Sequence, residues 1–290
     1  MQFIAILFFS LLPILLGLIY KYKLYQPQSL AGYKNAPPFT PAHILIGYGL
    51  YLFSPVFAQA ILLSLPRFAP MLNLKKPELP QPTASDTALF YLLCGISQLL
   101  AVVYIIYKAR SNNAQRWPLG LSPHKPLRLL KCAAMTTLTA FVFTTTTGLL
   151  LTQILTYFTN TPNNPIAHKS LVTIIQAKEN TTLYYTLIST IILAPVLEEF
   201  LFRGLIQNTL KKQLPQNPFY AILITSVIFS LIHIGTAPDP KQLLVSIPIL
   251  FILSCIMGYS YFKSNSLYVP ILTHMAFNGI NILQAVYLVS

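Results

Sequence analysis

Residues 184–212 read YYTLISTIILAPVLEEFLFRGLIQNTLKK, an apolar run of membrane-spanning length interrupted by Glu198, Glu199 and Arg203. The whole chain holds six acidic residues, and two of them stand side by side in this run. An ionisable group inside a transmembrane segment costs about 2.5–3.5 kcal/mol on insertion scales, so it marks a functional site by default. On an α-helix the two glutamates point about 100° apart, and Arg203 follows Glu199 by one turn. Glu199 and Arg203 are therefore expected to pair, which turns Glu198 toward a different face. A carboxyl so placed, desolvated and without an obvious cation of its own, is suited to proton exchange. Pro195, about one turn before Glu198, removes a backbone hydrogen bond and can open the helix to polar groups.

Composition sets the class around that stretch. The 290 residues are 54% hydrophobic and 9% charged, with a mean hydropathy of +0.62, which is the composition of a membrane protein. The net charge of +13 comes from 19 Lys and Arg. They gather between apolar runs rather than along one amphipathic face, the distribution of a membrane protein and not of a nucleic-acid binder. No nucleic-acid partner is expected. Cys94, Cys132 and Cys255 lie in or beside apolar segments without CxxC spacing, so they read as small buried hydrophobes.

Apolar runs at 2–20, 41–65, 87–107, 129–157, the opening stretch, 218–236, 242–262 and 267–289 each approach the ~20 residues needed to cross the hydrocarbon layer. The run at 2–20 is expected to be a transmembrane helix rather than a signal peptide. No basic n-region precedes it, and the YKYKLYQ that follows lacks a small-x-small cleavage site. The run at 129–157 is rich in Thr, and helix packing is its expected use. The expected fold is all-α, a polytopic integral membrane bundle of about eight transmembrane helices forming a single domain over residues 1–290. A bacterial-type inner or plasma membrane is the expected location.

Two further polar constellations share this apolar background. Phe229 and His233 lie at i and i+4 in VIFSLIHIG, and His274 and Asn278 at i and i+4 in ILTHMAFNGI. A lone His in an apolar helix is more often a hydrogen-bonded packing residue than a catalyst. Three separate runs that each carry a polar face make coincidence a poorer explanation. Counted from Lys212, Pro218 and Ser264, the positions Glu198, His233 and Asn278 lie about 21–23 Å from one boundary at ~1.5 Å per residue, so they can meet in one cavity. A Glu and a His there can hold and deprotonate a water. A second His and an Asn amide can donate to a developing oxyanion. That combination suits amide hydrolysis, and neither a GxSxG elbow nor an HExxH motif is present.

Glu198-Glu199-x-x-x-Arg203, Phe229-x-x-x-His233 and His274-x-x-x-Asn278, in that order and each on its own apolar run, resemble the three motifs of the CPBP (Abi) family. This family includes the type II CAAX prenyl endopeptidases and bacteriocin-processing or immunity proteins. The resemblance covers about residues 129–290, with residues 1–128 as accessory spans. It implies an intramembrane glutamic endopeptidase acting on a membrane-associated peptide or protein, prenylated or bacteriocin-like. In it Glu198 and His233 activate water, His274 and Asn278 stabilise the oxyanion, and Glu199, Arg203 and Phe229 support them. No cofactor is expected. A zinc enzyme using His233, His274 and a glutamate is a minority reading, because two His and a carboxylate can hold the ion with one position open. A non-proteolytic scaffold or immunity protein, held together by Glu199–Arg203, is the alternative. A proton-coupled transporter is disfavoured by the absence of repeated polar motifs in the first four runs.

Thirteen of the 19 Lys and Arg fall on one side if both termini are external, and this bias sets orientation. Reporter fusions after His124 should therefore read cytoplasmic and fusions after Ser290 external. A cytoplasmic carboxyl terminus would reverse the orientation.

Overall fold

The structure, a computed structural model, describes residues 41–65, 67–68, 83–111, 120–121, 126–160, 174, 180–214, 217–236 and 240–289. Among these, all regular structure is helical and no strand occurs. In chain order the helices are α1 (Pro41–Leu63), α2 (Ala84–Ser111), α3 (Pro126–Thr159), the composite rod α4, α5 (Pro218–Ile232), α6 (Pro240–Ser264) and α7 (Tyr268–Val289). The rod α4 joins five segments end to end: Asn180–Leu187, Ile188–Leu193, Ala194–Glu199, Phe200–Gln207 and Asn208–Gln213. Its second and fourth segments are π-helical.

The described residues form an all-α fold, and among them four helices are long and apolar enough to cross a membrane: Ala84–Tyr107, Pro126–Thr159, Asn180–Lys211 and Lys241–Ser264. The expected span at 2–20 lies outside the described residues, and in α1 the apolar portion found is Leu52–Leu63. Helix α5 has 15 residues, about 22 Å at 1.5 Å per residue, which is short of the ~30 Å hydrocarbon layer. Helix α7 has 22 residues but is not among the four, because Thr273, His274, Asn278, Asn281 and Gln284 dilute its apolar character. The residues that make this helix chemically interesting are thus the ones that weaken its membrane signal.

Local sequence sets where α5 starts and stops. Asn217 is its N-cap, its side chain accepting from the Phe219 N–H at 3.0 Å, and Pro218 occupies the first turn where a missing N–H costs nothing. The α-helix ends at Ile232, and His233 starts a short 3₁₀ turn to Thr236. The expected run at 218–236 is therefore a short helix with an irregular end.

Rod α4 is the central element, packed against α1, α2, α5, α6 and α7, while α3 lies across α6 and α7. Leu193, Leu197, Phe200 and Leu205 of α4 meet Leu92, Val102 and Ile105 of α2 in one core cluster. On another side Phe202 joins Ala140 of α3, Phe229 of α5, Leu253 and Met257 of α6, and Phe277 of α7. Gly95 admits Leu193 so closely that any Cβ there would overlap it. Several Thr hydroxyls of α3 turn back on their own helix: Thr137 donates to the Ala133 carbonyl at 2.9 Å and Thr144 to Ala140 at 2.7 Å. Satisfied in this way, they allow close packing without facing lipid as bare donors.

Residues 120–121 dock on the turn that leads into α7. Ser266 Oγ donates to the Gly120 carbonyl at 3.0 Å, and the Tyr268 hydroxyl donates to Leu121 at 3.2 Å. Gly120 has φ +67°, and a Cβ there would run into the Asn265 carbonyl. Gly120→Ala should lower stability by more than about 1 kcal/mol, because both the backbone conformation and the space exclude a side chain. Thermal unfolding of the detergent-solubilised protein checks this.

Candidate active site

The site assembles around the two glutamates of α4. Glu199 and Arg203 are fully buried, with Oε2 and Nε 3.0 Å apart. The N–H does not point along that line, so the contact is an ion pair rather than a directed hydrogen bond. Arg203 reaches α6 as well, its Nη2 donating to both the carbonyl and the hydroxyl of Ser254 at 3.1 Å. Its guanidinium carbon also sits 5.2 Å from the centroid of the Phe229 ring, a cation–π contact in a desolvated setting. One turn on, Gln207 Nε2 donates to the Gly258 carbonyl at 3.0 Å, and Asn208 Nδ2 donates to the Tyr261 hydroxyl at 2.8 Å. A Cβ on Gly258 would stand 2.9 Å from Gln207 Oε1, so that glycine makes room for the clamp.

Glu199 Oε1 accepts from His274 Nδ1 of α7 at 3.0 Å. His233 Nδ1 lies 2.7 Å from the Phe229 carbonyl, which can only accept, so Nδ1 carries the hydrogen. The imidazole thereby caps a carbonyl at the end of its own helix and aims its other nitrogen outward. Glu198 Oε2 then faces His233 Nε2 at 3.8 Å and His274 Nε2 at 4.0 Å. Both distances exceed hydrogen-bond reach, and both are spans that a single water can bridge. Glu198 keeps 23% of its side-chain surface exposed, against 12% for His233 and 6% for His274. It is the most exposed of the three.

The Phe229 ring ties the group together, with centroids 4.6 Å from the His233 ring, 6.1 Å from His274 and 4.9 Å from Phe202. The structure thus brings Glu198, Glu199, Arg203, Phe229, His233 and His274 into one cluster drawn from α4, α5, the turn after α5, and α7. Asn278 stands apart from the contacts of that cluster. Its Nδ2 donates to the Thr190 carbonyl at 2.9 Å, on α4 two turns before Glu198. Ser254, Gln207 and Gly258 went unread in the sequence, where a serine, a glutamine and a glycine in apolar helices carry no signal of their own. Among the described residues, no three His, Cys, Asp or Glu side chains are arranged to hold a metal ion.

Residues 180–280 match the family model described as type II CAAX prenyl endopeptidase Rce1-like. The segment contains all three motifs that carry the CPBP resemblance, and it runs from the start of α4 into α7. A similar protein from Escherichia coli, an uncharacterized 24.3 kDa protein, is 33% identical over 90 residues. That alignment covers 31% of this chain and 39% of the relative, so the chain spans about two-fifths of the relative's length. No solved structure matches. Residues 180–280 are thus similar to a membrane-protease family, and four of the described helices are long and apolar enough to cross a membrane.

Because the Glu199–Arg203 pair is wholly buried, Arg203→Met should destabilise the protein by about 3–5 kcal/mol, leaving Glu199 as an uncompensated buried charge. Glu199→Gln added to that variant should recover part of the loss by removing the charge. Denaturation of the purified protein measures both. Equal stability of Arg203→Met and the wild type would show that the pair is not structural.

Proposed function

We propose that the protein is an intramembrane glutamic endopeptidase in which Glu198 and His233 activate a water that hydrolyses a peptide bond of a membrane-associated substrate. The observation that carries this reading is the facing of two imidazole Nε2 atoms toward one oxygen of Glu198, at 3.8 and 4.0 Å. Each imidazole is held from behind at Nδ1, His233 by a backbone carbonyl and His274 by Glu199. With Nδ1 protonated, a neutral ring presents a lone pair at Nε2. A water set between Glu198 and His233 therefore donates to both, and Glu198 takes its proton as the oxygen attacks the scissile carbonyl carbon. The carbonyl π electrons move onto oxygen. His274 can donate to that oxyanion from Nε2 only as an imidazolium, a form that Glu199 supports through Nδ1. Collapse of the intermediate breaks the C–N bond, and the proton held by Glu198 passes to the leaving nitrogen.

The family description adds a prenylated CAAX-type protein as the first substrate to test, and a bacteriocin-like peptide is the other. Eight spans with both termini external is the topology we assign. The reaction as written needs no metal.

Glu198→Gln preserves size and removes the ionisable carboxyl, so peptide cleavage by purified protein should fall by at least about 10²–10⁴-fold, with normal expression and membrane insertion. If a cellular phenotype persists in that variant and disappears in Arg203→Ala, the scaffold reading replaces the enzyme. In the same assay, metal-stripped wild type should retain activity. Activity that follows zinc occupancy would replace the metal-free step with a zinc one.

A further inference from the structure

Helices α4 and α6 run side by side in one register. Arg203 donates to Ser254, Gln207 to the Gly258 carbonyl and Asn208 to the Tyr261 hydroxyl. One turn further on, where both helices end, the same register brings Lys211 of α4 to Phe262 of α6, with Nζ 5.4 Å from the ring centroid. Lys263 Nζ approaches that ring too, at 5.7 Å, and lies 5.4 Å from the Tyr259 centroid. Phe219, in the first turn of α5, completes the patch. Its ring stacks on Tyr259 with centroids 6.2 Å apart and lies 6.4 Å from Phe262. Phe219 is 53% exposed and its neighbour Tyr220 56%, so the patch belongs to the outer surface where three helix ends meet.

We propose that Lys211 and Lys263 form a binding site for the headgroup phosphate of an anionic phospholipid. A lysine at a helix C-terminus has a simpler use, offsetting the helix dipole. That use does not call for two lysines from different helices on one ring. Two cations gathered there repel each other, and the face of a phenyl ring attracts them without neutralising either charge. An anion held between them offsets the repulsion. Depth selects which anion. Aromatic and lysine side chains at the ends of apolar helices lie at headgroup level, where the phosphodiester is the anion present. A headgroup without a cation of its own adds net attraction to that contact. The bias of Lys and Arg along the chain puts this end at the cytoplasmic face, the leaflet rich in anionic lipid. The exposed ring of Phe219 offers apolar surface beside the phosphate for the start of the acyl chains. A headgroup held by both lysines ties α4 to α6 one turn beyond Asn208–Tyr261, and so adds to the contacts that keep Arg203 on Ser254. The site is independent of the reaction assigned to Glu198.

Native mass spectrometry of the detergent-purified protein, titrated with phosphatidylglycerol and separately with phosphatidylcholine, tests the site. Wild type should bind phosphatidylglycerol about tenfold or more tightly than phosphatidylcholine, and the Lys211→Gln, Lys263→Gln double variant should lose about that factor. Lys241→Gln, which removes the same charge at the opposite end of α6, should bind as wild type does. Thermal unfolding gives a second readout: added phosphatidylglycerol should raise the Tm of wild type by several degrees and leave that of the double variant unchanged. Equal binding of the two lipids by wild type overturns the site. An equal loss in Lys241→Gln does so as well, because it reduces the preference to the net charge of the chain. Displacement of phosphatidylglycerol by an equimolar amount of inorganic phosphate overturns the lipid as occupant in favour of a free anion. If the double variant does not fold, Lys263→Gln alone should weaken phosphatidylglycerol about threefold or more, and unchanged binding overturns the proposal.

Discussion

The buried ion pair between Glu199 and Arg203 is the constraint on which the rest of the bundle depends. Neither side chain has any exposed surface, and unpaired charges of this kind at membrane depth would be prohibitive. Pairing alone does not satisfy them, because a carboxylate and a guanidinium have more hydrogen-bonding capacity than one contact uses. Further contacts come from three other helices: Ser254 of α6, the Phe229 ring of α5, and His274 of α7. Four helices therefore converge on one pair of charges. Their register against α4 is set by polar contacts as well as by the packing of Phe202, Leu253 and Met257 around them.

That constraint separates two adjacent glutamates into different roles. Glu199 is spent inside the bundle and holds one imidazole from behind. Glu198, turned about 100° away on the same rod, keeps part of its surface open and faces the distal nitrogens of both imidazoles. The histidines are alike in one respect: each is oriented through Nδ1, which leaves Nε2 turned toward Glu198.

Irregular backbone is concentrated where the site lies. Rod α4 widens into π-helix on both sides of the two glutamates, and α5 stops at His233 instead of continuing across. Non-helical or strained backbone at membrane depth is tolerated only where protein or a polar cavity satisfies it. Here a side-chain amide and an imidazole meet that need, at the Thr190 and Phe229 carbonyls respectively. Outside this region α3 is a regular helix, and Thr136, Thr137, Thr139, Thr144 and Thr159 donate to carbonyls of their own helix.

By itself the sequence pointed to the class of the molecule, because continuous apolar runs of about 20 residues with few charges are the pattern of membrane-spanning helices. It also determined which residues to examine, since a Glu-Glu pair, two histidines and an arginine are too costly in apolar runs to be incidental. The Glu199–Arg203 contact was legible too, being local and one helical turn apart. Tertiary structure decided what depends on separations of many residues or on backbone departures from the ideal helix. Ser254 and Gly258 became partners of α4 only through packing, and the exposure of Glu198 follows from which neighbours cover Glu199. Equal counting along ideal helices put Asn278 at the depth of Glu198. In the structure its amide donates to the Thr190 carbonyl, two turns before Glu198. The number of spans is likewise a matter of three dimensions, since α5 ends early where His233 binds its own helix, and α7 trades apolar residues for the polar ones that face α4.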